Sequence, residues 1–284
     1  MKKGKMEIFK KKEKIGEKIR EIKKTGKKIG FVATMGYLHN GHISLISKAR
    51  EENDIVIVSI FVNPTQFGPG EDFERYPRNV NRDIELLEKE KVDIVFIPNA
   101  DEMYKKGHKA WVNVEEYSEI LEGKLRKGHF RGVCTVVAKL FNIIQPDRSY
   151  FGWKDAQQLI IIKKMVDDLD IPVEIVGCPT LREKSGLAES SRNIYLTEEE
   201  KQKALCLYKV LKKIKEMAKK GEKNTKKLIE EGKKIILSTG GVELQYLEIV
   251  NIENLQPVEK IDNNTIVLGA IKIGNVHLID NIFL

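Results

Sequence analysis

The sequence has 284 residues, of which 41% are hydrophobic, and a chain of this composition can bury a large core, which excludes an intrinsically disordered protein. Its formal net charge is +8, but residues 1–28 alone carry +9, with thirteen Lys and Arg against four Glu. The rest of the chain is therefore close to neutral, which argues against a nucleic-acid-binding face built across the whole fold.

The first predicted element is an amphipathic helix within the basic segment of residues 1–28. Ile8, Ile15, Ile19 and Ile22 fall largely at helical spacing among lysines, which indicates one buried stripe and one solvated face. We interpret this helix as a packing element. A non-catalytic RNA-binding protein is the alternative interpretation of the same charge, and it predicts RNA binding with a steep salt dependence.

Strands and helices then alternate along residues 29–176. Ile29–Thr34 and residues 55–62 are predicted strands, and their continuous apolar runs are typical of a parallel sheet covered by helices on both faces. The alternation includes helices at residues 41–52, 79–90, 133–144 and 155–169, and strands at residues 92–97, 149–151 and 173–176. This pattern predicts an α/β fold with a doubly wound, mostly parallel, Rossmann-like sheet.

The pattern changes after about Pro179. A Lys- and Glu-rich helical stretch at residues 197–237 precedes short predicted strands at residues 244–250, 265–273 and 277–284. We therefore predict two domains, a Rossmann-like domain over residues 1–178 and a smaller α+β C-terminal lid domain over residues 179–284.

Two histidines lie where the first strand of this sheet turns into a helix. The strand leads into Met35 and Gly36, and His39-Asn40-Gly41-His42 opens the helix, so backbone N–H groups and the positive end of the helix dipole are available to an anion. A surface pair or a helix cap is the alternative. Because ligands of open α/β sheets bind at the carboxyl ends of strands, we favour a phosphate site.

Three further polar clusters follow predicted strands or lie on a loop. Residues 63–68 offer amides for a hydroxyl or a carboxylate. Lys154 suits a phosphate, Asp155 suits a ribose hydroxyl, magnesium or a helix cap, and Gln158 lies on the first helical turn and points toward the same crevice. Residues 190–193, Ser-Ser-Arg-Asn, suit a triphosphate or pyrophosphate. Each cluster alone resembles an ordinary turn, but together with the histidines they favour an ATP-binding enzyme.

The cysteines and the apolar runs indicate the cellular compartment in which we expect the protein. Cys134, Cys178 and Cys206 are widely spaced, which indicates neither a disulfide framework nor a paired-thiol zinc site. The basic N-terminal stretch lacks the apolar core of a signal peptide, and the longest apolar run, residues 55–62, is too short to span a bilayer. We expect a soluble protein of the reducing cytoplasm, with neither membrane nor nucleic acid as a partner.

Several different short motifs are distributed from the first sheet strand to the end of the chain. They are GFVATMG at residues 30–36, LHNGH at 38–42, SIFVNPTQF at 59–67, YPR at 76–78, GHFRGV at 128–133, PD at 146–147, YFG at 150–152, KD at 154–155, QQ at 157–158, SSRN at 190–193 and LIDN at 278–281. With these motifs the chain resembles the pantothenate synthetases, the pantoate–β-alanine ligase family of the nucleotidylyltransferase superfamily, which is related to class I aminoacyl-tRNA synthetases. The resemblance covers nearly the whole chain.

The resemblance implies a two-step reaction in which ATP and pantoate give pantoyl adenylate and pyrophosphate, and β-alanine then displaces AMP to give pantothenate. The residues that it implies as phosphate stabilisers are His39, His42, Lys154, Ser190, Ser191 and Arg192. The nucleotide-binding residues that it implies are Met35, Gly152, Asp155 and Leu181. The residues that it implies around pantoate are Asn63, Gln66, Arg126, His129, Phe151 and Gln158, with the Met35 backbone. It also implies Mg²⁺, with Asp83 as the candidate residue near it, and a homodimer.

The chain departs from the family pattern at four positions. Ser185 and Glu189 stand where an Asp and an apolar residue are usual, and Trp153 and Ala156 stand where Glu and Tyr are common. These changes concern the nucleotide loop rather than the type of reaction. A nucleotidylyltransferase that adenylates a phosphorylated acceptor shares the histidine motif and remains the alternative enzyme.

Overall fold

The computed structural model describes residues 5–284, so the first four residues of the predicted basic segment lie outside the described residues. The chain forms two compact units. The first unit contains the described residues up to Gly152 together with Ile161–Cys178, and the second contains Trp153–Ile160 together with Pro179–Leu284. The division into domains at residues 1–178 and 179–284 stays a prediction.

The first unit is built on a sheet of six parallel strands. The strands are Glu7–Phe9 (β1), Ile29–Thr34 (β2), Ile55–Ile60 (β3), Ile94–Phe96 (β4), Arg148–Gly152 (β5) and Glu174–Cys178 (β6). Their order in the sheet is β1-β4-β3-β2-β5-β6. The chain therefore runs outward from β2 in one direction and from β5 in the other. The strand order reverses between β2 and β5, which is where ligands bind in sheets of this type.

Helices cover both faces of this sheet. Those of the first unit are Lys12–Lys24 (α1), Asn40–Glu52 (α2), Val80–Lys89 (α3), Ala100–Met103 (α4), Glu122–Leu125 (α5) and His129–Ile144 (α6), while Ala156–Asp168 (α7) has residues in both units. Val56 and Val58 of β3 pack with Ile46 and Leu87, and Ile57, on the opposite face of the strand, is also fully buried. This two-sided burial is what the continuous apolar run predicted.

The prediction for the N-terminal element is wrong at Ile8. Helix α1 begins at Lys12, whereas Ile8 lies in edge strand β1, opposite Val95 of β4. Ile8 lies seven residues before Ile15, a spacing that also occurs between residues on one face of a helix. The spacing alone does not show that a strand ends and a helix begins between these two positions. Ile15 and the later isoleucines of α1 are buried, as the pattern predicted.

The second unit combines two helices with a small antiparallel sheet. Its helices are Glu198–Lys219 (α8) and Thr225–Leu237 (α9), and its strands are Glu243–Asn251 (β7), Thr265–Ile273 (β8) and Val276–Phe283 (β9), in the order β7-β8-β9. Val210 and Leu228 of the helices pack in one buried cluster with Leu247 and Ile271 of the sheet. The predicted fold class, a parallel α/β sheet with a smaller α+β part, is therefore confirmed. Across residues 5–284, the helices are too short or too polar to cross a membrane.

Candidate functional site

His39 and His42 cap the start of α2 reciprocally. The Nδ1 atom of His39 accepts a hydrogen bond from the backbone N–H of Gly41 (3.1 Å), and the Nδ1 atom of His42 accepts one from the backbone N–H of His39 (3.3 Å). An imidazole nitrogen that accepts carries no proton, so each neutral ring has its N–H at Nε2. The structure thus assigns this pair a capping role, and their contact with phosphate stays a prediction.

Asp83 holds the turn that leads into this cap. Its carboxylate, which is 1% exposed, accepts hydrogen bonds from the backbone N–H groups of Tyr37 (2.7 Å) and Leu38 (2.8 Å). The turn has positive φ angles at Gly36 (81°) and Tyr37 (49°). A Cβ atom at Gly36 would also lie 2.9 Å from Ile60, so this position requires glycine for both reasons.

The surroundings of Asp83 do not fit direct coordination of Mg²⁺. Both carboxylate oxygens already accept backbone N–H groups, and burial raises the pKa of Asp83 in spite of those donors. Within residues 5–284, no group of three or more His, Cys, Asp and Glu is arranged to hold a metal ion. Mg²⁺ requires near-octahedral oxygen ligands, several of them waters, and a fully buried carboxylate leaves no room for them. We therefore interpret Asp83 as the residue that positions the turn before His39.

Asn63 and Gln66 share one hydrogen-bonded network after β3. The Nδ2 atom of Asn63 donates to Oε1 of Gln66 (3.0 Å), and the Nε2 atom of Gln66 lies 3.2 Å from Sδ of Met35. Oδ1 of Asn63 accepts from the hydroxyls of Tyr104 (2.9 Å) and Thr65 (3.0 Å). Burial raises the pKa of Tyr104, so its phenol keeps the proton that it donates. These hydrogen bonds fix the orientation of each side-chain amide, and so the positions of its NH₂ donor and its oxygen acceptor.

The same turn packs directly on the backbone of α6. Asn63 donates through Nδ2 to the carbonyl of Gly132 (3.1 Å). A Cβ atom on Gly132 would lie 2.4 Å from the carbonyl oxygen of Thr65 and 2.7 Å from Cα of Gln66. Only glycine permits this approach, so Gly132 sets the position of the amide pair.

His129 and Arg126 hold the backbone of Gln66. The Nδ1 atom of His129 lies 2.8 Å from the Gln66 carbonyl oxygen, and its Nε2 atom lies 3.0 Å from Nη1 of Arg126. Because a guanidinium can only donate, Nε2 accepts and the His129 proton lies on Nδ1. Burial and the Arg126 charge lower the pKa of His129 to about 4, which keeps the ring neutral.

Arg126 is itself held by Glu71. The pair is bidentate, with Nε to Oε1 at 3.1 Å and Nη2 to Oε2 at 2.6 Å. Although burial opposes the shift, the hydrogen bonds and charge of Arg126 lower the pKa of Glu71. The structure thus brings together Met35, Asn63, Gln66, Arg126 and His129, all predicted from sequence, in the first unit.

The next predicted residues follow β5. Phe151 is buried within the strand, and Gly152 is its last residue. In the turn beyond it, Nζ of Lys154 lies 3.2 Å from Oδ1 of Asp155, and both side chains are partly exposed. Gln158 is half-buried in the first turn of α7. Their contacts with nucleotide and substrate stay a prediction.

The serine motif forms a short capped turn in the second unit. Oγ of Ser190 accepts from the backbone N–H of Arg192 (3.3 Å) and caps the 3₁₀ turn Ser191–Tyr195, in which Ser191 is buried. Asn193 anchors this turn by donating through Nδ2 to Glu183 Oε1 and to the Ala188 carbonyl, both at 3.0 Å. The turn is therefore tied to the preceding loop.

Leu181 lies at the start of that loop. Its carbonyl accepts from the backbone N–H of Glu189 (3.0 Å), while its side chain is exposed. A contact of Leu181 with the nucleotide, through its backbone or its exposed side chain, stays a prediction.

Sequence reasoning missed Glu71, Thr65 and Tyr104 as parts of the Asn63–Gln66 site. Glu71 lies 55 residues from Arg126, and Tyr104 lies 41 residues from Asn63. No local pattern joins such pairs. Thr65 lies inside the NPTQ motif, and its proximity to Asn63 was the one available signal.

The strand order, the capped helix start and the buried amides at the sheet edge define a ligand-binding α/β protein of the nucleotide-binding type. Comparisons with known proteins specify it further. The family model of the pantoate-beta-alanine ligases matches residues 7–283. A pantothenate synthetase of Thermotoga petrophila is 53% identical over 98% of this chain and 99% of its own length. One from Pseudothermotoga lettingae is 54% identical over 93% of this chain and 94% of its own length.

Solved structures agree with the sequence matches. A pantoate-beta-alanine ligase (pantothenate synthetase) from Thermus thermophilus has a TM-score of 0.94 and 43% identity, covering 98% of this chain and 99% of that one. The enzyme from Francisella tularensis, solved with beta-gamma ATP and beta-alanine, has a TM-score of 0.81 and 39% identity, covering 98% of both chains. The chain belongs to the pantoate–β-alanine ligase family, and it is an acid–amino-acid ligase.

Proposed function

We propose that this ligase condenses (R)-pantoate with β-alanine to give pantothenate through pantoyl adenylate, releasing pyrophosphate and AMP. The observation that carries the proposal is the buried Asn63–Gln66 network, because the internally bonded Asn63 fixes the orientation of the Gln66 amide, which is the group that would meet a small polar acid. The adenylating alternative needs only the histidine cap. Membership of the family supports the same substrates.

In the first step the ionised carboxylate of pantoate attacks the α-phosphorus of ATP, and the bond to pyrophosphate breaks. A carboxylate is already a nucleophile, so this step needs no general base. It needs alignment and neutralisation of phosphate charge. We assign the phosphate contacts to Nε2–H of His39 and His42, the cations Lys154 and Arg192, and the hydroxyls of Ser190 and Ser191.

In the second step the neutral β-alanine amine attacks the acyl carbon of the adenylate, the amide bond forms as the bond to AMP breaks, and the nitrogen releases one proton to solvent. Pantoate lies against Gln66, Gln158 and Phe151 in this proposal, with the Met35 backbone beside it. The supporting residues are Asn63, Arg126 and His129, and the adenosine contacts are made by Gly152, Asp155 and Leu181.

The remaining parts of the proposal concern metal, assembly and compartment. Mg²⁺ would accompany the ATP substrate and would neutralise phosphate charge there, with no ligand role for Asp83. A homodimer follows from the resemblance, and a species of single-chain mass in sedimentation equilibrium at micromolar concentration contradicts it. Residence in the cytoplasm agrees with three buried, unpaired thiols at Cys134, Cys178 and Cys206.

Pyrophosphate exchange tests the activity directly. With Mg²⁺, ATP and pantoate but no β-alanine, the protein should move labelled pyrophosphate into ATP, and a panel of other small carboxylic acids should support far less exchange. Mass spectrometry after β-alanine is added should find AMP and an amide. A stable dinucleotide-like product from a phosphorylated acceptor favours the adenylating alternative, and absence of exchange in folded protein contradicts the proposal.

A further inference from the structure

Strand β9 carries two buried polar residues in succession. Asp280 and Asn281 are 6% and 5% exposed and pair with Gly269 and Leu268 of β8. Polar side chains in such positions destabilise a fold unless they are hydrogen-bonded. Both are hydrogen-bonded, and their partners belong to the two segments of the second unit that carry predicted phosphate residues.

Asn281 holds the turn that contains Lys154. Its Nδ2 atom donates to the carbonyl oxygens of Trp153 (2.7 Å) and Lys154 (3.0 Å). The Trp153 ring meets the Phe283 ring edge to face, with centroids 4.8 Å apart. Two side chains of β9 therefore fix the backbone from which the Lys154 side chain projects.

Asp280 holds the loop that precedes the serine motif. Its carboxylate forms a bidentate ion pair with Arg182, with Oδ2 to Nη1 at 2.6 Å and Oδ1 to Nη2 at 2.8 Å. The guanidinium also lies 4.0 Å from the Tyr208 ring centroid and donates to the Gly186 carbonyl (3.2 Å). A planar cation held on three sides has little freedom to reorient.

The loop transmits this anchoring to the serine motif. Arg182 pairs antiparallel with Ala188, and the backbone N–H of Glu189 donates to the Leu181 carbonyl. Asn193 then ties the Ser191–Tyr195 turn to Ala188. A continuous set of hydrogen bonds thus runs from Asp280 to the turn that carries Arg192.

We propose that Asp280 and Asn281 are positioning residues for ATP. Together they fix Lys154 and the Ser190–Arg192 turn relative to each other within the second unit, so that the two cations meet the phosphates in one geometry. The inference rests on the proposed function, because it takes ATP as the ligand of both segments. Neither residue touches the nucleotide itself.

Asn281→Leu removes both donors at similar volume and tests the proposal. We expect the KM for ATP in pyrophosphate exchange to rise by about tenfold, equivalent to about 1.4 kcal/mol, while the KM for pantoate stays within twofold. Asp280→Asn removes one carboxylate oxygen and the charge, and should raise the KM for ATP in the same direction. If Asn281→Leu fails to fold, Asp280→Asn carries the test.

Thr225→Val is the matched control for lost stability. Thr225 is equally buried in the same unit, and its hydroxyl donates to the Val258 and Glu259 carbonyls, far in sequence from the phosphate segments. It should lower the Tm and leave the KM for ATP unchanged. An unchanged KM for ATP in both β9 variants, with wild-type exchange intact, overturns the positioning role. Absence of exchange in the wild type instead contradicts the proposed function.

Discussion

Three histidines of the first unit have their protons placed by their neighbours. His39 and His42 accept backbone N–H groups at Nδ1 and so carry the proton at Nε2, whereas His129 accepts from Arg126 at Nε2 and carries it at Nδ1. The first arrangement leaves Nε2–H as the donor of each capping ring, which suits a phosphate oxygen. The second holds a carbonyl, which suits a structural role. The same residue type thus takes two tautomers, each set by its neighbours.

Two substitutions at His42 separate its cap from its proposed phosphate contact. In His42→Asn the side-chain oxygen can replace Nδ1 as the acceptor, so we expect a Tm near that of the wild type and pyrophosphate exchange lower by about 10²–10³-fold. In His42→Ala both the acceptor of the cap and the proposed phosphate donor are lost, so we expect the same loss of exchange together with a loss of about 1 kcal/mol in unfolding free energy. Full exchange activity in folded His42→Asn contradicts the phosphate role.

His129 should make stability depend on pH. Its pKa is about 4 in the folded protein, and an unfolded histidine titrates near about 6.5. Between these values the unfolded chain binds a proton that the folded protein does not, so stability is fully present above pH ~6.5 and falls as the pH is lowered towards 4, by at most about 3 kcal/mol. Urea unfolding at several pH values should show a flatter profile for His129→Asn. Parallel profiles for both proteins contradict this.

At the scale of elements, close backbone approach decides where the amide pair lies. Helix α6 contacts the Asn63–Gln66 turn through Gly132, whereas a methyl group added at Gly16 in α1 would make only an ordinary van der Waals contact, with Nη1 of Arg20 at 3.7 Å. Both glycines lie inside helices, so they share the intrinsic cost of glycine there. They differ in what an added methyl group meets.

Gly132→Ala and Gly16→Ala form a matched pair. The methyl group at residue 132 collides with the Thr65 backbone, so we expect about 1–3 kcal/mol of destabilisation and a higher KM for pantoate. The methyl group at residue 16 should stabilise the protein by about 0.5–1 kcal/mol and leave kinetics unchanged. Urea unfolding and exchange kinetics measure both. A Gly132→Ala protein with the wild-type KM for pantoate removes the link between helix contact and substrate site.

The elements that could be predicted from the sequence are those that a local pattern of neighbouring residues specifies. Contacts between residues far apart in the chain could not be predicted. Strands β2 and β3 were predicted correctly because a continuous apolar run signals burial on both faces. The start of α2 was predicted from the polar motif that caps it. Strand β1 was missed because three residues at a sheet edge carry no period of their own, and Glu71 was missed because its partner Arg126 is brought near only by the fold.

At the scale of the whole molecule, the predicted phosphate residues are divided between the two compact units. His39 and His42 belong to the first, and Lys154, Ser190, Ser191 and Arg192 belong to the second. The alternation of strands and helices in the sequence ends near Pro179. The sequence therefore places the boundary there and does not predict that residues 153–160 belong to the second unit. The side chain of Asn281, which lies more than a hundred residues away, donates to the carbonyls of Trp153 and Lys154 in this segment.

Amide hydrogen exchange can test whether each of these two groups of residues responds to ATP. A ligand bound to a segment slows the exchange of its backbone N–H groups, because the opening that permits exchange must then compete with binding. With Mg²⁺ and ATP at about 100 times Kd, a stabilisation of about 2.7 kcal/mol is available, so peptides covering residues 39–43 and 190–193 should both exchange more slowly. Pantoate alone should protect residues 63–66 and leave residues 39–43 and 190–193 unchanged. Helix α9 is the internal control, since its amides lie outside every proposed contact. Protection of only one of the two phosphate segments by ATP means that the other has been assigned the wrong ligand.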